Sequence, residues 1–134
     1  MLAHLSKTAE QMGLPFGERL MTFNSRRAQE LGKWAETCGR GEVFHHAVFH
    51  AYFAEGRNIA QIPVLTHIAD AVGLDPDEAR TVLLERSFRE PVDRDWQRAR
   101  NQGITAVPTF VTNGRRLVGA QTYQDLTRLI EAED

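Results

Sequence analysis

Apolar residues recur at three- and four-residue spacing through most of this chain, and the alternation typical of strands is confined to one short stretch near the C-terminus. Residues 3–12 have helical character and stop at Gly13, followed by a turn over Leu14-Pro15-Phe16-Gly17. A second helix starts with Asn24 or Ser25 as its cap and runs to Cys38, with Ala28, Leu31, Ala35 and Cys38 on one face. A third covers Glu42 to Ala54. Its stripe of Val43, Phe44, Ala47, Val48, Ala51 and Tyr52, widened by Phe49 and Phe53, predicts a helix clasped on more than one side. A fourth spans Pro63 to Val72 and ends at Gly73. Asp75-Pro76-Asp77-Glu78 is a start signal, because Asp75 can cap, Pro76 suits the first helical position and Glu78 completes a capping box. That fifth helix carries Ala79, Val82 and Leu83 to about Arg86. A sixth runs from near Pro91 to Gln102, with Trp96 as its expected apolar anchor.

The pattern then changes. Thr109–Thr112 and Arg115–Val118 read as two strands joined by Asn113-Gly114, the dipeptide favoured where both central residues of a turn need positive φ. Thr122 with Asp125 can cap a last helix, whose Tyr123, Leu126, Leu129 and Ile130 are expected to face inward. The fold class is therefore α+β, mostly α, in a single domain of 1–134.

Composition narrows the function classes. The 134 residues are 42% hydrophobic and 25% charged with a net charge of −2, which fits a globular domain with its own core. The charges of both signs are interleaved, which argues against nucleic acid and against an anionic membrane as partners. No apolar stretch is long enough to cross a bilayer, and the first residues lack the apolar run of a secretory signal. With one cysteine and hence no internal disulfide, the expected compartment is the cytoplasm.

Candidate chemistry is sparse. Cys38 is the sole thiol, and it falls at the C-terminal end of its helix, where the dipole opposes a thiolate. His46 and His50 are four apart and share a helix face with room for a metal, but no third ligand stands at a matching spacing, so neither a metal nor another cofactor is expected. The mixed-charge run from Arg86 to Arg100 reads as a solvated helix face.

Residues 24–131 resemble the C-terminal portion of a DsbA-family thioredoxin-like protein, in the FrnE-like branch that neighbours the 2-hydroxychromene-2-carboxylate isomerases. The resemblance is carried by Asn24-Ser25-Arg26-Arg27-Ala28, Phe44-His45-His46-Ala47-Val48-Phe49-His50-Ala51-Tyr52-Phe53, Gly56-Arg57-Asn58-Ile59 and Gly73-Leu74-Asp75. Its most specific pieces are Gly103-Ile104-Thr105-Ala106-Val107-Pro108-Thr109-Phe110-Val111 and Gly119-Ala120-Gln121.

The resemblance implies a helical insertion over 24–102 and the last two strands and last helix of a thioredoxin fold over 107–131. It implies that Pro108 is cis, that Val107 and Pro108 line a groove for a peptide or thiol substrate, and that Gly119 and Gln121 approach a bound thiol ligand. Family members begin with a strand, a Cys-x-x-Cys at a helix N-terminus and a second strand. This chain lacks that pattern, so it is read as an N-terminally truncated member with no catalytic residue of its own. The expectation is a thiol–disulfide oxidoreductase relative that is inactive as it stands. The rival readings are a non-catalytic helical interaction module and a glutathione-dependent isomerase-like protein. In the parent fold the strand with Phe110 is paired on both sides, so a bare 109–112 edge predicts a homodimer, joined there or through exposed helical faces.

Overall fold

The computed structural model describes residues 2–18 and 21–132, and they fold as two compact units, 1–93 and 94–134. The first unit is helical: α1 (Leu2–Gln11), α2 (Arg26–Thr37), α3 (Gly41–Phe49), α4 (Ile62–Ala71) and α5 (Pro76–Glu85). A helix α6 (Arg89–Asn101) carries the unit boundary. The second unit continues with β1 (Thr109–Thr112), β2 (Arg115–Val118) and α7 (Tyr123–Glu131). The mostly helical α+β class read from the sequence is the class observed.

The core of the first unit forms where α2 packs on α3 and α5, and α4 packs on α3 and α5. Leu31, Ala35, Phe44, Leu65, Ala69 and Ala79 are wholly buried there. Each large side chain removed from water in this way stabilises the fold by about 1.5–3 kcal/mol. Gly32 in α2 lets the ring of His45 lie against the helix, since a Cβ there would meet His45 Cε1 at 2.7 Å.

The third helix departs from the uniform one expected. After Phe49 it widens into a π turn, His50–Ala54, closed by the Glu55 N–H donating to the His50 carbonyl at 3.1 Å. The segment after α1 returns onto this turn. The Gly17 N–H donates to the Phe53 carbonyl at 2.8 Å and Phe16 stacks on Phe53 with centroids 6.5 Å apart. A side chain at Gly17 would run into the Ala54 carbonyl. The helix is also not clasped all round: Phe49 and Phe53 are 58% and 40% exposed.

Of the two residues expected to cap α2, Ser25 makes no capping bond and the Asn24 side-chain oxygen accepts the Arg26 N–H at 2.8 Å; the caps of α5 and α7 form as the sequence expects. The Asp75 carboxylate accepts the N–H groups of Asp77 and Glu78 at 2.8 and 3.1 Å, with Pro76 as the first helical residue. Thr122 accepts the Asp125 N–H at 3.1 Å. Asn113 and Gly114 have φ of 47° and 75°, as the two-residue turn requires.

Two expected core assignments are corrected. In α6 the buried residue is Val92, while Trp96 is 43% exposed. In α7 Leu129 is buried and Leu126 half-buried, but Tyr123 and Ile130 are 84% and 70% exposed. The helix offers a narrower apolar stripe than its spacing suggested.

Candidate functional site

The Val107–Pro108 region is built by a helix end, a loop and a hairpin within the second unit. α6 terminates through Gly103, whose φ of 68° lets the Ile104 N–H reach back to the Ala99 carbonyl at 3.0 Å. Arg116 of β2 then takes the exposed end of that helix: its guanidinium donates to the Gly103 carbonyl at 3.2 Å and to the Gln102 carbonyl. The loop runs on to a cis Val107–Pro108 bond, and the Thr109 hydroxyl donates to the Ala106 carbonyl at 2.6 Å.

β1 and β2 pair antiparallel with Thr112 opposite Arg115 and Phe110 opposite Leu117. In a two-residue hairpin these are the hydrogen-bonded pairs. The N–H and C=O groups of Thr109 and Val111 therefore point away from β2. Among the described residues the sheet has two strands only, so this outer edge has no strand beside it. Val107, just ahead of it, is 92% exposed.

The sequence-predicted positions come together here. The Gly119 N–H donates to the Pro108 carbonyl at 2.8 Å, which extends the ladder by one step beyond Thr109. Gly119 does so at φ of 85°, a left-handed backbone that favours glycine. The Gln121 side-chain amide is turned onto the Val118 carbonyl at 2.9 Å. Val107, Pro108, Gly119 and Gln121 thus belong to one end of the hairpin.

The other candidates lie elsewhere. Cys38 is the exposed C-cap of α2, and its Sγ lies 4.0 Å from the Thr37 hydroxyl. His45 Nε2 lies 3.4 Å from Glu36 Oε1, and His50 Nδ1 lies 3.1 Å from Glu55 Oε1. No three His, Cys, Asp or Glu side chains among the described residues could jointly hold a metal. No described helix is long and apolar enough to cross a membrane.

Two features of the first unit escaped the sequence reading. One is an apolar groove of about 390 Å³ against the π turn, bordered by Phe23, Val48, Phe49, Tyr52, Phe53 and Ile59. The other is a buried carboxylate, Glu30, 1% exposed, held by Arg26 of α2 and by Arg86, the residue that follows α5. Arg26 Nε donates to its Oε2 at 2.8 Å; Arg86 donates to Oε2 at 2.7 Å and to Oε1 at 3.3 Å. Burial by itself would push the Glu30 carboxyl up, but the hydrogen bonds from Arg86 and Arg26 outweigh it and hold it below the ordinary glutamate value. The only sequence signal was the Arg26–Glu30 spacing of four.

The chain is thus a mostly helical α+β protein whose second unit ends in a hairpin and a helix. The chain matches the DSBA-like thioredoxin domain family over residues 1–131 and belongs to that family. It is 33% identical over 88 residues to the uncharacterized protein YwbO of Bacillus subtilis strain 168, a stretch covering 65% of this chain and 44% of YwbO. The chain therefore spans less than half the length of that relative.

Proposed function

We propose that this chain is an FrnE-like member of the DsbA family, cytoplasmic, which supplies a peptide- or thiol-binding edge and does not itself turn over disulfides. The reading is carried by the outer edge of β1: among the described residues no strand pairs with the outward backbone groups of Thr109 and Val111, beside a Val107 that is 92% exposed. An extended peptide can add to such an edge through main-chain hydrogen bonds, with alternate side chains choosing the partner. Disulfide exchange needs an attacking thiolate and a second thiol to resolve the mixed disulfide. The 134 residues hold one cysteine, and it stands at the C-terminal end of α2, far from the anion-stabilising end of that helix.

The same edge supports self-association. Two copies joined strand to strand at 109–112 would pair the outward groups of Thr109 and Val111. The exposed Phe49 and Phe53 offer a second face for a homodimer.

Two measurements test the reading. Insulin reduction by the purified 134-residue chain should not exceed the uncatalysed rate; turnover typical of an intact dithiol enzyme would refute the claim. Titration with an extended cysteine-containing peptide should shift the NMR signals of Val107 to Val111, and an unperturbed edge would remove the binding proposal. The glutathione-dependent alternative rests on the tie between Gly119 and Pro108, which sets Gln121 at the same end of the hairpin. Saturable heat on adding glutathione would favour it.

A further inference from the structure

A second cavity of the first unit, about 390 Å³, opens at the start of α2 and is lined by both arginines and aliphatic side chains. Arg26, Arg27 and Arg86 supply the charge, and Ile62, Leu83 and Leu84 the apolar wall. The arginines are not equally engaged. Arg26 is held by Glu30, by Asp93 at 2.7 Å and by the Arg89 carbonyl at 2.9 Å. Arg86 gives Nε and Nη2 to Glu30, which leaves its Nη1 without a protein acceptor among the described residues. Arg27 donates only from Nη1, to the neutral Ala60 carbonyl at 2.8 Å. Its charge faces no carboxylate among the described residues, and its Nε and Nη2 remain open.

Arg27 has no carboxylate opposite it among the described residues, so positive charge is left at the rim. A guanidinium presents its N–H groups as a planar fork that fits the two oxygens of a carboxylate or phosphate. The local field points the same way. α2 begins here, with the Arg26 N–H donating to the Asn24 side-chain oxygen at 2.8 Å and no capping bond from Ser25, and the positive end of the helix dipole adds to the arginines. The aliphatic wall, with Leu84 59% exposed, favours a ligand with an apolar part over a bare ion.

We propose that this cavity binds a small organic oxyanion, a carboxylate or phosphate carried on a short apolar body. Arg27 and Arg86 take the oxygens, Arg26 is held in place by Glu30 and Asp93, and Ile62, Leu83 and Leu84 cover the apolar part.

The test is calorimetric titration of the full chain, at low ionic strength, with hexanoate, hexyl phosphate, inorganic phosphate and hexanol. Saturable binding of hexanoate or hexyl phosphate is expected, tighter than that of inorganic phosphate or hexanol. The preferred member of the first pair identifies the headgroup. Arg27→Gln should weaken the preferred ligand by about tenfold or more, as the loss of a hydrogen bond to a charged group does. Arg27→Lys, which keeps the charge and loses the fork, should fall between. Leu84→Glu, a surface change that places a carboxylate at the mouth, serves if Arg27→Gln melts early, and should abolish binding. Lack of saturation by both hexyl compounds, hexanol binding as tightly as hexanoate, or unchanged affinity in folded Arg27→Gln or Leu84→Glu overturns the proposal.

Discussion

Glu30 and Arg86 stand 56 residues apart in sequence and meet through two hydrogen bonds, 2.7 and 3.3 Å long, that join α2 to the residue ending α5. Arg86 reaches the carboxylate from a left-handed backbone, φ 55° and ψ 42°. Removing the acid leaves Arg26 and Arg86 facing each other around a buried, uncharged position. Glu30→Gln should lower the unfolding free energy by about 2–4 kcal/mol, toward the lower part of the range for broken buried pairs because Arg86 is itself half-exposed. Urea denaturation followed by circular dichroism measures it; a loss under half a kilocalorie per mole would mean the network contributes nothing net.

The same carboxyl gives stability a pH dependence of definite sign. Its folded-state pKa lies below the ordinary 4.5, so its contribution is fully present above that value. It is lost as pH falls through the depressed folded value. The melting temperature of the native chain should therefore fall more steeply with acid than that of Glu30→Gln, and the two curves should converge at low pH. Parallel curves would contradict this.

The hairpin turn gives a third prediction. Gly114 at φ 75° takes a backbone that L-residues resist by roughly 1–2 kcal/mol, so Gly114→Ala should loosen β1 and β2 by about that amount. Faster hydrogen exchange at the Phe110 and Leu117 amides, with α4 amides unchanged, is the expected signature.

Asp75 caps α5 through two N–H groups, and Asp75→Ala should cost about 0.5–2 kcal/mol. The check is a thermal melt beside Asp77→Ala, whose side chain caps nothing in the structure and whose melt should shift less.

If copies associate through β1, Val111→Lys should disperse them, because a charge on a strand edge opposes pairing with another strand. Light scattering at tens of micromolar should give the mass of two chains for the native protein and of one for the variant. A native protein that already runs as one chain removes the premise.

What could be read beforehand follows from how local each determinant is. Asp75-Pro76 and Asn113-Gly114 specify their geometry within four residues, so both were legible in the sequence. Trp96 reads inward as the main apolar residue of a charged helix, and Tyr123 and Ile130 read inward from their spacing. Spacing says which residues share a face, but not how wide a strip the neighbouring element covers. Glu30 was hidden for the opposite reason: a glutamate between Gln29 and Leu31 reads as solvent-facing until Arg86 is brought to it. At the candidate site, the positions of Val107, Pro108, Gly119 and Gln121 were named from resemblance. The ladder bond joining Pro108 to Gly119 came only with the fold, as did the clamp of Arg116 on the end of α6.

The π turn at His50–Ala54 fits one more residue into its coil than a regular helix would. Taking one residue out of that turn would let the Glu55 N–H close an ordinary α turn on the His50 carbonyl, so the chain beyond it would keep its place. The turn is thus a point where the polypeptide absorbs a change in residue count.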